Sequence, residues 1–237
     1  SVSCTLSSGT CTLTTLGDGA WVVTVTDTDS SGNSATSTGL TVTIDATAPP
    51  APSSLTLAAA SDSGASSSDL ITSNTSLVFT GTAEANSIVQ LYVGGVATGS
   101  TCTTNGSGAF SCTTGTLSAG GDRVITAVAT DAAGNSSSAS TSATVSIDTA
   151  APTVTATTGN VVFSGNTVVQ SSKIGTVYLV NTSVTVANLA SITSAADASW
   201  NSASITSAST NTNLAVTGLS AGTYKAYAVD AAGNLSL

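Results

Sequence analysis

Two short phrases return along this chain, and their spacing limits what it can fold into. One is D-x-x-G-N: Asp29 opens DSSGN, Asp131 opens DAAGN and Asp230 opens DAAGN again. The other is I-D-x-x-A-P, with Asp45 in IDATAP and Asp148 in IDTAAP. Each recurs at about 100 residues, the size of one β-sandwich domain. The text between them consists of short runs rich in Val, Ile and Thr, bounded by Gly, Asn, Ser or Asp. WVVTVT, SLVFTGTA, SIVQLYV, RVITAVAT, ATVSI, GTVYLV, SVTVANL and TYKAYAV all read as strands. LASITSAADASW (189–200) holds at best a short helical turn.

The proline-bearing phrases ATAPPAP and TAAP mark boundaries, because proline lacks the N–H that a central strand needs and stiffens a short connection. They divide the chain into residues 1–46, 47–149 and 150–237. The first unit corresponds to the back half of a repeat, Ser1 matching about Gly99 of the middle unit. The last unit stops soon after its own DAAGN, without a counterpart of SATVSI. Either the parent chain is longer, or neighbouring copies complete the end units by strand donation.

Charged residues are 6% of the chain, against about 25% in an average soluble protein. Ser and Thr fill roughly a third of it, well above average usage. The apolar residues are mostly Ala, Val, Ile and Leu, which suits a thin core between two sheets. The net charge is −9, with three basic residues, Arg123, Lys173 and Lys225. No basic patch is possible, so nucleic acid and anionic membranes are poor partners. No apolar run is long enough to span a bilayer. With no His, triads and His general bases are excluded. A carboxylate pair could hydrolyse a glycoside, but no aromatic-rich cleft is suggested, and the chain reads as a non-enzyme. Lys173 and Lys225 could in principle form isopeptide bonds; solvated or snorkelling lysines are expected instead. Trp21 and Trp200 read as core.

Cys4/Cys11 and Cys102/Cys112 each flank a turn, in CTLSSGTC and CTTNGSGAFSC. Zinc would want tighter spacing and often His. Cross-strand disulfides tying two hairpins are expected, which implies an oxidising compartment outside the cytosol.

The middle unit, with SD-x-G…D-x-IT, FTGTAE, DAAGN and IDTAAP in order, resembles the bacterial Ig-like repeats of large surface adhesins, the biofilm-associated and RTX-type repeat-stalk proteins. The resemblance covers the middle unit and the back half of the first. The last unit lacks the SD-x-G loop and GTAE, and resembles a diverged sandwich module. The cysteine pairs depart from the family. The resemblance implies an all-β chain of tandem Ig-like β-sandwich domains in an elongated array, a stalk that binds Ca²⁺ at or near its junctions.

The carboxylates, eleven Asp and one Glu, supply the hard oxygen ligands that Ca²⁺ takes. In an Ig-like sandwich the last strand of the middle unit lies between Asp131 and Asp148. About twelve paired residues at roughly 3.4 Å each separate them by about 40 Å. They therefore belong to different junctions. Asp45, Glu84 and Asp131 are placed at the first junction. Asp62, Asp69, Asp148 and Asp230 are placed at the second, as one site or two. The plainer reading is that Asp in D-x-x-G-N caps its own turn.

Three functional readings follow. The leading one is a Ca²⁺-stiffened structural segment of an extracellular adhesin or fibre stalk on a bacterial cell surface, in contact with neighbouring repeats. The second is a self-assembling subunit of a surface filament, sheath or surface layer, its partners being copies of itself. The third is a carbohydrate-binding module that meets surface glycans or the host or biofilm matrix.

Overall fold

The computed structural model describes residues 16–156 and 165–237. Cys4 and Cys11 lie outside the described residues. The first unit contains β1 (Gly19–Val23), β2 (Thr26–Thr28), β3 (Ser34–Thr36) and β4 (Leu40–Ile44). β1 pairs antiparallel with β4, and β2 with β3. Its described strands repeat a pattern of the middle unit. Gly19 faces Ile44 across the first pair as Gly121 faces Ile147 further on.

The middle unit runs through β5 (Ser53–Leu57), β6 (Ile71–Thr72), β7 (Val78–Thr82), β8 (Ile88–Val93), β9 (Val96–Thr103), β10 (Ala109–Thr113), β11 (Gly121–Thr130) and β12 (Ala143–Ile147). Two sheets form, ordered β10-β7-β5 and β6-β12-β11-β8-β9. The short β6 runs parallel to β12, and the other pairs are antiparallel. The last unit has β13 (Val154–Ala156), β14 (Asn166–Ser171), β15 (Gly175–Asn181), β16 (Trp200–Ile205), β17 (Thr212–Ala215) and β18 (Tyr224–Asp230). Its sheets are β13-β14-β17 and β16-β15-β18. Each sheet draws its strands from one unit.

The cores follow from side-chain alternation. Along β11, Ile125, Ala127 and Ala129 point inward at every second position and meet Phe79, Leu91, Phe110 and Val145. Val169, Val177, Ile205 and Leu214 form the separate core of the last unit. Small residues such as Ala127 and Ala129 let the sheets lie close, as the aromatic-poor composition suggests. Trp21 and Trp200 are half-buried rather than core. The Trp21 indole N–H donates to the Gly17 carbonyl, and Trp200 lies against Tyr178 with ring centroids 5.7 Å apart.

Cys102 and Cys112 are bonded, with Cα atoms 5.4 Å apart. The expected pairing is present, but the strands are not a hairpin within one sheet. β9 is hydrogen-bonded into the five-stranded sheet and β10 into the three-stranded one. The disulfide therefore staples the two layers of the sandwich at one edge, where Cys112 is buried.

One expected strand is absent. SVTVANL is turn and bend, because asparagine chemistry prevails over β-branched propensity there. Asn181 Oδ1 accepts from Ser183 N–H, and its carbonyl accepts from Val184 N–H. Asn188 then caps the helix α1 (Leu189–Thr193), accepting from Ser191 N–H while the Ser191 side chain bonds back.

The long final strand of the middle unit is also shorter than expected. Its regular part is β12, and serine side chains carry the approach to it. Ser137 and Ser140 donate their N–H groups to the Ala129 and Ala127 carbonyls, and their hydroxyl oxygens accept from the Ala129 and Ala127 N–H groups. Ser37 does the same opposite Val25, and Ser236 opposite Ala228. A hydroxyl one atom off the main chain replaces the missing carbonyl, so backbone donors stay paired where the ladder loses register. This is a structural use for the serine-rich text.

Candidate functional site

The three D-x-x-G-N loops share one geometry. Asp131 Oδ1 accepts from the N–H groups of Ala133 at 2.9 Å and Asn135 at 2.8 Å, and Oδ2 accepts from Asn135 Nδ2 at 2.9 Å. Asp29 binds Ser31, Asn33 and the Asn33 amide in the same way. Asp230 Oδ1 accepts from Asn234 N–H at 2.9 Å, and Asn234 Nδ2 lies 3.0 Å from Oδ2. The fourth residue is Gly because the loop passes through left-handed backbone there, with φ +87° at Gly32, +96° at Gly134 and +87° at Gly233. The hydrogen bond from the Asn135 side chain, joined by backbone N–H groups and opposed by burial, holds the Asp131 carboxyl below the usual carboxylate range. Each Asp is thus a turn former, and its carboxylate aims an asparagine amide.

That amide crosses the junction. Asn135 Nδ2 donates to the main-chain carbonyl of Asp45 at 3.0 Å, and Asn234 Nδ2 donates to that of Asp148 at 2.8 Å. In each case the next-to-last residue of one unit, Asp45 of 1–46 or Asp148 of 47–149, is held by the D-x-x-G-N loop of the next, its F–G loop. The aspartates that aim the clasp are buried, Asp131 at 6% exposure and Asp230 at 4%. Pro49 and Pro152, at matching places in the two connections, are also buried. On the near side of the first connection, Asp18 accepts from Ala46 N–H and from the Thr47 hydroxyl.

The second junction contains a cation. Lys173 Nζ lies 2.5 Å from Asp148 Oδ2 and 3.0 Å from Asp230 Oδ2, and donates also to the Ala150 carbonyl. Lys173 was expected to be solvated, but its side chain is only 28% exposed. Partial burial pushes the Asp148 carboxyl up, but the Lys173 hydrogen bond, the Ala150 N–H and the ammonium charge outweigh it, so the carboxyl ends below its ordinary value. Burial likewise pulls Lys173 down, and the hydrogen bonds and charges of Asp148 and Asp230 outweigh it, so the ammonium ends above its ordinary value. Both groups stay charged. The contact is an ion pair between charged groups. Lys225, by contrast, sits 4.8 Å over the Tyr227 ring.

The second junction also has a tight backbone contact. Ser63 Oγ donates to the Ala232 carbonyl at 2.7 Å. A Cβ on Gly64, whose φ is +105°, would lie 2.0 Å from the Ala231 carbonyl oxygen, so no larger residue fits. The loop between β5 and β6 of the middle unit, its A–B loop, therefore docks on the F–G loop of the last unit.

The remaining predicted residues lie as follows. Asp62 is buried. Its Oδ2 accepts from Leu70 N–H at 3.1 Å, while its buried Oδ1 accepts no hydrogen bond among the described residues. Asp69 is exposed and accepts from Ile71 N–H. Asp45 is exposed and accepts from Thr47 N–H. The Glu84 side chain is exposed, and its carbonyl accepts from Ser87 and Thr104 hydroxyls. Among the described residues no group of three or more acidic, cysteine or histidine side chains is gathered to hold a metal ion. Asn135, Asn234 and Lys173 were not singled out as junction residues. The signal for the asparagines lay in the phrase itself, whose last letter is as constant as its first.

Residues 48–149 match the model of the family described as bacterial Ig-like domain, in agreement with the resemblance of the middle unit. No curated protein matches the chain. Among solved structures the chain is similar to a tetra-tandem repeat from the extending region of a large adhesion protein. The identity is 21%, over 94% of this chain and 56% of that one, with a TM-score of 0.34. It is similar to a Ca²⁺-stabilized adhesin with which an Antarctic bacterium binds ice, at 23% identity over 92% of this chain and 54% of that one, with a TM-score of 0.37. It is also similar to fibronectin(III)-like modules of Clostridium thermocellum CbhA, at 16% identity over 77% and 89%, with a TM-score of 0.41. The chain spans little more than half the length of the first two.

Asn234→Ala removes the amide that binds both the Asp230 carboxylate and the Asp148 carbonyl. The expected loss is about 1–2 kcal/mol in the unfolding of the last unit, since one bond is charge-assisted. Chemical denaturation followed by Trp200 fluorescence checks it. The Lys173 ion pair has a defined pH window. The depressed Asp148 pKa gives stability that is present above its ordinary value of 3.8 and lost as the pH falls through the lower folded value. The raised Lys173 pKa gives stability that is present below its ordinary value of 10.5 and lost as the pH rises through the higher folded value. Melting of the chain across pH should therefore show a plateau between these limits, and Lys173→Met should remove this pair's contribution at both edges.

Proposed function

We propose that this chain is a structural segment of an extracellular adhesin or fibre stalk on a bacterial cell surface, with β-sandwich modules set end to end by a repeated polar clasp. The modules are taken as residues 1–46, 47–149 and 150–237, the last being a diverged Ig-like sandwich. The observation that carries the reading is the recurrence of the clasp. At two successive connections a buried aspartate aims an asparagine amide at the carbonyl that ends the preceding module. Flexible linkers between independent modules have no need of such a bond, and a protein that bears length or load does. The family match of the middle unit supports it. So does the Cys102–Cys112 disulfide, which belongs to an oxidising environment. With no His and few charges, the chain offers little for catalysis, and the role is structural.

Calcium belongs to this proposal for part of the predicted ligand set. The second junction does not fit a metal between Asp148 and Asp230, because the Lys173 ammonium already binds both carboxylates. Asp45, Glu84 and Asp131, expected at the first junction, are not gathered to hold an ion among the described residues. One other place offers a donor. Asp62, with a buried oxygen that accepts no hydrogen bond among the described residues, lies in the A–B loop with Asp69. Calcium bound there would supply divalent charge to hard oxygen ligands and lessen carboxylate repulsion.

Titration with calcium followed by melting tests this. At about 100 times the Kd, binding should stabilise the chain by about 2.7 kcal/mol. Small-angle scattering should show an extended particle in calcium and a more flexible one after chelation. Scattering and melting that are both indifferent to calcium would remove the metal from the proposal and leave the clasp.

A further inference from the structure

We infer that the ammonium group of Lys173 is the built-in counter-cation between Asp148 and Asp230 at the second junction, which is therefore tied there without metal, and that the first junction, with Glu84 at the same place in the fold, has no such tie among the described residues.

The two junctions share one frame. In the middle unit β7 ends at Thr82, which faces Ser53; in the last unit β14 ends at Ser171, which faces Val154. Counted from those strand ends, Glu84 and Lys173 are each the second residue of the loop that leads to the next strand. Asp131 follows Thr130, which faces Ile88, and Asp230 faces Gly175, so the two F–G aspartates also correspond. The Asn135 and Asn234 clasps complete the match. Within this frame Glu84 stands where Lys173 stands, so the sign of the charge at that position is reversed.

The ammonium suits its place. It carries three N–H donors and is bound to three oxygens, those of Asp148, Ala150 and Asp230. These come from the end of the middle unit, from the connection and from the F–G loop of the last unit. One side chain thus ties three segments that a hard cation would otherwise have to gather. A divalent ion placed there would meet a positive charge in contact with its ligands, which opposes binding. Glu84 reverses that sign at the first junction and leaves its carboxylates without a protein cation among the described residues.

The test uses spin-label pairs on the full chain, one pair across each junction, with distance distributions recorded in calcium and in chelator. The second-junction distribution is expected to be narrow and the same in both. Lys173→Met should broaden it in both, and Lys173→Arg should keep it narrow. Lys173→Glu, which copies the charge of the first junction, should be broad in chelator and narrow again in calcium. A wild-type second junction that broadens on chelation, or one that stays narrow in Lys173→Met, overturns the inference. So does a Lys173→Glu junction that calcium does not restore. The first-junction pair serves as the comparison that lacks a lysine, and the Lys173 tie is decided by the second pair.

Discussion

The interaction on which the arrangement of modules depends is a single asparagine amide with two acceptors. It is fixed by an aspartate four residues earlier in its own loop, and it binds the carbonyl that closes the preceding module. A lone amide on a flexible loop would lose much of its hydrogen-bond energy to ordering. Here the ordering is done within the loop, by a buried carboxylate that also takes backbone N–H groups and by a glycine that allows the left-handed turn. The amide is therefore already oriented when two modules meet. Because the acceptor is a main-chain carbonyl, the contact sets the position of the backbone, not merely of a side chain.

This device suits a chain with few charges. Asp131 spends its carboxylate inside its own loop, and Asp230 divides its carboxylate between its loop and Lys173, where hydrogen bonds compensate burial. The second junction adds the Lys173 ammonium, the Ser63 hydroxyl and a backbone approach at Gly64 that only glycine permits. The first junction has the clasp and Asp18, and its remaining carboxylates face no lysine or arginine in an ion pair among the described residues. Two connections of one chain thus have the same frame and different electrostatics.

Much of the fold was legible in the text. Runs such as SIVQLYV, RVITAVAT and GTVYLV combine β-branched residues with period-2 burial, and they lie in β8, β11 and β15. SVTVANL has the same composition and is not a strand, because Asn181 and Asn188 satisfy nearby backbone groups more cheaply than a ladder does. The paired cysteines were readable as a disulfide, but spacing alone could not show that consecutive strands join different sheets. At the junctions the aspartates drew attention because carboxylates are rare here. The asparagine beside them was overlooked because an amide has no charge, although its geometry makes the crossing bond. Lys173 was hidden for another reason. Its partners Asp148 and Asp230 are 25 and 57 residues away, and only the fold brings them together. The serine ladder was hidden in plain composition, since nothing in a serine-rich run distinguishes a hydroxyl that completes a sheet from one in solvent.

The central claim, that the clasp fixes the direction of one module relative to the next, is tested most directly by residual dipolar couplings on the labelled full chain in a weakly aligning medium. Couplings from the strands of the middle and last units should fit one common alignment tensor, as they do for a single rigid body. Two tensors of clearly different magnitude and orientation would mean that the units reorient independently, and the clasp would then be an incidental contact, not the joint of a stalk.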